Sequence, residues 1–535
     1  MIDPSGAELW DFGHDVLDWW AMSAPDQTAL YVLTGRDYCI RHSFAQVADV
    51  SNQVGRWLSE HGMRRGDRVL VVLGKDPAFW PIMMGLLKIG AIPMPGTVQL
   101  TTGDLWYRLS AAEADSAIVL PETAARIDAR AERFLKTTIV VGGSQEGWTR
   151  LDPWDLPAGS VPLPRVVAPT DPALIYFTSG TTNYPKMVLH DHRYPFSHHI
   201  TAGYWIGLQP DDLHWNVADT GWAKAAWSSL FGPWTKGAGI VVDDLTGKFV
   251  ARDLLDRLAV HPVTSLCAPP TVYRLLVQEP LETLRERPLR SLVAAGEPLN
   301  PEVIETVSKA TGLTIRDGYG QTETVLLVGN APGAAVRPGS MGKPAPAFDM
   351  AVVDHEGHPL PPGQEGDIAV RFRPVRPPGL FLEYVGEAEG TASRFVGDYY
   401  ITGDRGIRDE DGYFWFVARA DDVIISAGYR IGPFEVESAL VEHPAVVEAA
   451  VVSSPDPIRG EVVKAFVVLR EGVVGDERLV EEVQDHVKSV TAPYKYPRRI
   501  EFVTELPKTI SGKIRRNELR AREWGSPTPS SATEE

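Results

Sequence analysis

Segments whose apolar residues recur at helical spacing alternate with short β-branched runs along most of the chain, and that alternation leaves few folds open. Residues 44–61 carry helical periodicity and precede the strand-like run 68–72. Residues 79–89 do the same before 91–94, and 303–310 before 313–316. Such alternation closes most readily into parallel sheets covered by helices, so the expected fold class is α/β. After about residue 345 the texture changes. Short strands at 350–354, 366–370 and 413–417 are separated by Gly, Pro and Asp turns, which predicts a β-rich subdomain. From Asp421 a third texture begins, with strand-like 446–452 and 462–469, helical 476–487 and strand-like 499–503. The expected organisation is a large N-terminal domain of stacked α/β sheets plus the β-rich subdomain (1–420), a small mobile α+β C-terminal domain (421–524), and a disordered polar tail, GSPTPSSATEE (525–535).

A chain of 535 residues with 44% hydrophobic residues has ample material for several cores. Its net charge of −18 argues against nucleic acid or an anionic membrane as partner, while leaving room for a local basic phosphate site. Two cysteines, Cys39 and Cys267, form neither a disulfide framework nor a multi-cysteine metal site. The first twenty residues carry Asp3, Glu8, Asp11, Asp15 and Asp18 and no Lys or Arg, the reverse of a basic leader. The most apolar stretch, 79–95, is broken by Lys88, Pro81, Pro93 and Pro95, so no membrane span is expected. A reducing cytoplasm is the expected setting.

Four segments carry chemistry. In 176–190 (YFTSGTTNYPKMVLH), a strand leads into small and polar residues, Thr178, Ser179, Gly180, Thr181 and Thr182, and then Lys186. Such a loop can turn N–H groups and hydroxyls onto a polyphosphate, with the lysine neutralising charge. A Ser/Thr-rich surface turn has the same composition. In 317–324 (DGYGQTET), two glycines permit close backbone approach, and Glu323 offers a carboxylate for a divalent cation; a tight polar turn reads equally well. In 400–432, Asp404 suits a ribose diol and Arg419 and Arg430 suit phosphates or ribose, whereas a charged surface hairpin is the bland reading. In 506–516 (LPKTISGKIRR), Lys513 on a Ser-Gly turn is a point charge that another domain's site could receive.

Taken in order, TSGTT-x-x-PK, AGEPL (295–299), DGYGQTET, TGD, AR-x-DD, AGYRIGPFEVE and PKTISGKI resemble the adenylate-forming enzyme superfamily, over about 44–520. Within it, DTGWAKAAWSS (219–229), CAPPTVYR (267–274) and SSPDPIRGEVVKAF (453–466) are most similar to medium-chain acyl-CoA synthetases. Two positions depart from the family pattern. Asn183 stands where a glycine is usual and tolerates left-handed backbone. Ala418 precedes Arg419 in place of glycine, as in medium-chain members.

The resemblance implies a two-step reaction with ATP and coenzyme A as co-substrates and Mg²⁺ as cofactor. A carboxylate attacks the α-phosphorus of ATP, and the coenzyme A thiolate then displaces AMP. It implies that Thr178 to Lys186 hold the β- and γ-phosphates and Glu323 the Mg²⁺. Gly296, Glu297, Pro298, Asp317, Gly318 and Tyr319 would frame adenine, Thr322 would contact the α-phosphate, and Asp404 and Arg419 the ribose. Lys513 would bridge the carboxylate and the α-phosphate. Rotation about Asp421 would then withdraw Lys513 and present Ala427, Gly428, Tyr429 and Arg430 to the pantetheine arm. Gln99, Arg459, Lys488, Tyr496 and Arg498 would surround coenzyme A.

For the acid, Gly320 replaces a Trp that shortens the pocket in acetate-using relatives, and Trp222 is the expected wall. The segment after Trp222 reads Ala223-Lys224-Ala225, without the carboxylate that would hold an amino acid's ammonium. A medium-chain fatty or aromatic acid is therefore expected. A carrier-protein phosphopantetheine is the alternative acceptor. A catalytically inactive nucleotide-binding protein is the other alternative, and the presence of Lys513, Glu323 and Asp404 speaks against it. The pairs His190/His192 and His198/His199 lack ligand partners at metal spacing, and Cys267 reads as packing.

Overall fold

The structure, a computed structural model, describes residues 3–127, 134–159, 161–178, 185–243, 249–426, 429–509 and 513–525. Two mostly parallel sheets form the body. The larger has nine strands in the order Lys343–Pro344, Leu326–Gly329, Ile315–Gly320, Ser291–Ala295, Ser265–Ala268, Leu213–Asn216, Gly239–Val242, Thr28–Leu33, Cys39–Ser43. Its inner strands pair in parallel and its edges are antiparallel. The second is wholly parallel: Ile92–Pro95, Arg68–Val72, Ser116–Val119, Thr137–Val140 and Thr149–Arg150. Strands buried on both faces need apolar side chains throughout, which is why Val69 to Val72 and Leu292 to Ala295 are uninterrupted.

The helices lie where the spacing places them. Phe44–Glu60 opens with a capping box, in which Ser43 and Gln46 satisfy each other's backbone N–H groups. Phe79–Ile89 is buried all round and stops at Gly90, whose φ of 74° a side chain would strain. A close approach joins the sheets. A Cβ on Gly221 would lie 2.2 Å from the backbone of Gly96 and Thr97, so only glycine lets the segment before Trp222 cross the end of the strand Ile92–Pro95.

A small antiparallel sheet of Glu383–Tyr384, Met187–Asp191 and Pro172–Phe177 sits beside these layers. The β-rich region is an antiparallel sheet of Met350–Val353, Glu365–Arg371, Tyr399–Arg408, Phe395–Val396 and Phe414–Arg419. Beyond it, Ile424–Ser426, Tyr429–Ile431, Val446–Asp456, Gly460–Leu469 and Arg499–Val503 form a further sheet packed by the helices Pro433–Val441 and Glu477–Val490 around their own core. The tail 526–535 lies outside the described residues.

The structure differs from the sequence reading in one place that matters. The strand expected to end at Arg316 runs on to Gly320. Gly318 and Gly320 make this possible, because a Cβ at either would strike the Trp205 or Trp227 ring at 2.5 and 2.4 Å. What reads as a polar turn is a strand squeezed against two indoles.

Candidate active site

Asp404 and Arg419 face each other across paired strands, and Arg419 Nε lies 3.1 Å from Asp404 Oδ1. That pairing raises the guanidinium's pKa, with Asp404 the largest cause. The other carboxylate oxygen accepts from the Tyr319 hydroxyl and from Gln321 Nε2, both at 2.6 Å. Gln321 in turn accepts from the Tyr400 hydroxyl at 3.0 Å. Asp404 is therefore a buried carboxylate oriented from three sides.

Glu323 is held by the Tyr384 hydroxyl, which donates to Oε1 at 2.6 Å. The face of the same ring carries the Lys186 ammonium, 4.5 Å from its centroid, and Lys186 Nζ also reaches Glu387 Oε2 at 3.1 Å. Strand pairing explains the meeting: Tyr384 lies opposite Val188, two residues beyond Lys186. One tyrosine thus ties the loop lysine to the acidic residue, two positions that the family resemblance assigns to the phosphates and the Mg²⁺ of one nucleotide. Thr322 offers its carbonyl to His190 Nε2 at 2.8 Å. Thr178 accepts from the Lys186 N–H through its hydroxyl at 3.0 Å, closing the mouth of the loop. Ser179, Gly180, Thr181 and Thr182 lie outside the described residues, as do Ala427 and Gly428.

Gly296 has a φ of 107°, and a Cβ there would meet no atom within 4 Å, so glycine is needed for the turn and not for space. Glu297 follows it, accepting from Thr271 Oγ1 and pairing with Arg274 at 3.1 Å. Burial pushes the Glu297 carboxyl up, but Arg274 and Thr271 outweigh it and hold it below the usual range. Pro298 comes next in the same segment. Asp317 lies at the strand's buried centre. Burial raises its carboxyl to about 8, against the opposing pull of the Gly318 N–H and Lys224.

Lys513 enters this assembly from the C-terminal unit. Its turn is closed by Thr509, whose hydroxyl accepts from the Lys513 N–H at 3.1 Å and whose N–H donates to the Lys513 carbonyl at 2.7 Å. Its ammonium feels Glu297, Arg419, Lys224 and Asp404. Although the residue stays open to solvent on one side, its charge sits in the crevice. Burial is the largest cause of its lowered pKa, with Arg419 and Lys224 adding to the effect and Glu297 and Asp404 opposing it. The two units meet through Asn300 Nδ2 on Ser438 Oγ (3.2 Å) and Arg470 on Gln278 (3.1 Å). The Asp421 carbonyl accepts from Arg520 at 2.6 Å.

The residues assigned to coenzyme A do not form one group. Lys488 Nζ lies 4.5 Å and the Arg498 guanidinium 4.8 Å from the Tyr496 ring centroid, and Arg498 donates to the Tyr496 hydroxyl at 2.7 Å. Tyr429 stacks on Tyr494 at 4.4 Å, and Arg430 is exposed beside it. Gln99 is exposed on the N-terminal unit and Arg459 on a hairpin tip, and among the described residues no hydrogen bond or ion pair joins either to the Tyr496 cluster. Near the expected acid pocket, Trp222 is half-buried, but the indole against Gly320 is that of Trp227. The space opened by Gly320 is taken by Trp227, so the pocket is not simply open.

A buried carboxylate poised by Tyr319, Gln321 and Arg419, beside a lysine–tyrosine–glutamate string and a lysine from a second unit, is suited to a nucleotide whose phosphates and ribose are held at once. The model of the AMP-binding enzyme family matches residues 17–384, and that of the AMP-binding enzyme C-terminal domain matches 435–513. The chain belongs to the AMP-binding enzyme family. Among curated relatives, human acyl-coenzyme A synthetase ACSM3 is 48% identical, covering 97% of this chain and 90% of the relative. Human ACSM4 is 46% identical, covering 96% and 90%. Among solved structures, the anthranilate CoA ligase AuaEII in complex with anthranoyl-AMP superposes with a TM-score of 0.88 at 30% identity, covering 98% of this chain and 99% of that one. A benzoate CoA ligase from Burkholderia xenovorans LB400 gives 0.84 at 27%, covering 96% and 100%.

This AMP-binding enzyme is thus an AMP-forming acid–CoA ligase of the medium-chain acyl-CoA synthetase branch, with ATP, coenzyme A and a carboxylic acid as substrates. Among its described residues no helix is long and apolar enough to cross a membrane. The expected cytoplasmic setting is corrected: the ACSM relatives are mitochondrial by name, and two cysteines and an acidic first segment do not discriminate between compartments. That acidic segment has a structural use. Asp11 bonds His14, Asp15 pairs with Arg165, and Asp18 meets the buried Lys88 at 2.6 Å.

Sequence reading missed Tyr384, Gln321, Tyr400, Glu387 and Trp227. Gln321, Tyr400 and Trp227 stand inside segments singled out in the sequence, whereas Tyr384 and Glu387 stand in none, and the contact each makes becomes visible only through pairing across strands or packing across layers.

Proposed function

We propose that this synthetase activates a medium-chain fatty or aromatic carboxylic acid and passes the acyl group to free coenzyme A. The observation that carries the reading is that the Lys513 ammonium, from the C-terminal unit, interacts electrostatically with Glu297 and with the paired Asp404 and Arg419 of the N-terminal unit. Asp404 and Arg419 hold the ribose, and Thr178 and Lys186 the outer phosphates. The acid's carboxylate oxygen forms a bond to the α-phosphorus as pyrophosphate leaves. Lys513 neutralises the charge that develops there. The C-terminal unit then turns about Asp421 and withdraws Lys513. The coenzyme A thiolate attacks the acyl carbon and AMP leaves, along a path bounded by Gly428 and Tyr429, with Lys488, Tyr496, Arg498, Arg459 and Gln99 meeting the phosphates and adenine of the coenzyme.

One carboxylate oriented by a tyrosine, completed by phosphate oxygens and water, is a donor set that Mg²⁺ accepts. Glu323 would hold the ion, which neutralises phosphate charge when bound. Support for the acid class comes from the absence of a carboxylate in Ala223-Lys224-Ala225 and from the likeness to ligases named for benzoate and anthranilate.

ATP–pyrophosphate exchange across straight-chain acids from acetate to dodecanoate, with benzoate, tests this reading when combined with AMP release in the presence and absence of coenzyme A. Exchange peaking at medium-chain or aromatic acids, with AMP release requiring coenzyme A, is expected. Exchange without such release would instead indicate a carrier-protein acceptor. A peak at acetate would overturn the acid class.

A further inference from the structure

Four buried polar atoms around Gly320 and Thr322 have no hydrogen-bond partner among the described residues: His190 Nδ1, Tyr194 Oη, His198 Nε2 and Trp227 Nε1. They belong to one cluster. The His190 ring stacks on Tyr194 with centroids 3.7 Å apart, and His198 meets Tyr194 edge-on at 4.6 Å. The Tyr194 hydroxyl lies beside the Trp227 indole N–H without an aligned bond, and the Trp227 ring abuts Gly320. At its other end the cluster is tied to Thr322, through His190 Nε2.

Buried polar atoms left unpaired are unfavourable, and four of them gathered in one cluster are placed to take up a partner. Their chemistry defines what would pair them. His190 Nε2–H donates to a carbonyl, so Nδ1 is a bare acceptor. The Trp227 indole can only donate, and the Tyr194 hydroxyl can do both. His198 Nδ1 lies 3.3 Å from Thr201 Oγ1, which leaves Nε2 as its unpartnered nitrogen. Burial holds both imidazoles neutral, lowering His190 to about 3 and His198 well below its usual value. A group that both donates and accepts and carries no charge satisfies this set. A methyl or an unsubstituted ring does not, and a second carboxylate finds no cation in the cluster.

We infer that Tyr194, Trp227, His190 and His198 form a polar end to the acid pocket that selects a carboxylic acid bearing a hydroxyl group on its ring or chain. The inference rests on the activation reading above and narrows its acid class. A site built to bond a substrate hydroxyl discriminates strongly against the analogue that lacks it, because its own polar groups are then left unpaired.

Pyrophosphate exchange with benzoate against its 2-, 3- and 4-hydroxy derivatives, and with octanoate against 8-hydroxyoctanoate, tests the point in the wild-type enzyme. At least one hydroxylated acid is expected to exceed its parent at least tenfold in kcat/KM. Tyr194→Phe and Trp227→Phe, checked for unchanged thermal unfolding, are expected to cut that ratio at least fivefold. Parents used as well as or better than all hydroxylated acids would overturn the inference and leave the activation reading standing. So would an unchanged ratio in both variants. Exchange with none of the acids would overturn both.

Discussion

Lys513 and Tyr384 show how differently single residues announce themselves. Lys513 is legible in the sequence because its turn has a motif, and its neighbours Glu297, Arg419 and Asp404 belong to motifs too. Burial lowers its pKa, and in the proposed role the cation is the useful form, so exchange should fall as pH rises through that lowered value. Lys513→Arg, whose guanidinium stays charged, should react more slowly but move the alkaline limb upward, as read from pH–rate profiles of exchange. An unmoved limb would assign it to another group. Tyr384 has no motif, and only the pairing of Glu383–Tyr384 with Met187–Asp191 brings it to both Lys186 and Glu323. Removing its hydroxyl in Tyr384→Phe should cost about tenfold in exchange and raise the Mg²⁺ concentration needed for half-maximal rate. An unchanged Mg²⁺ titration would separate Tyr384 from Glu323's role.

At the level of elements, period and β-branching locate most strands and helices to within a few residues, because burial on one or both faces writes itself into side-chain pattern. The extension of Ile315–Gly320 through DGYG was hidden because two glycines and an aspartate read as a turn. What overrides that reading is packing against Trp205 and Trp227, which are distant in sequence. The extension buries Asp317 and raises its pKa to about 8, above the unfolded value of about 3.9. A raised acid contributes stability that is complete below the unfolded value and lost as pH rises through 8. Urea unfolding at pH 5 and pH 8.5 should therefore show wild type losing stability between the two, and Asp317→Asn losing less. Equal losses would mean that Asp317 is not the group responsible. The approach of Gly221 to Gly96 and Thr97 has no sequence signal beyond the glycines themselves. Gly221→Ala should destabilise by about 1–3 kcal/mol through overpacking, measured by the same unfolding.

Over the whole molecule, the structure holds one arrangement of a two-step enzyme. The C-terminal unit brings Lys513 within electrostatic reach of Glu297, Arg419 and Asp404, while among the described residues no hydrogen bond or ion pair joins Gln99 to Tyr429 or to the Lys488–Tyr496–Arg498 cluster. The order of motifs along the chain carries no information on how the units meet, because contacts such as Asn300 with Ser438 are single polar pairs with no pattern along the chain. If the unit must turn for the second step, the two half-reactions should separate when Lys513 alone is removed. The direct measurement compares Lys513→Ala with wild type in acyl-adenylate formation from acid and ATP, and in thioester formation from supplied acyl-adenylate and coenzyme A. Loss of the first by at least a hundredfold, with the second within a few fold of wild type, is the predicted result. Equal loss of both would contradict the withdrawal of Lys513 and, with it, the two-position account of this enzyme.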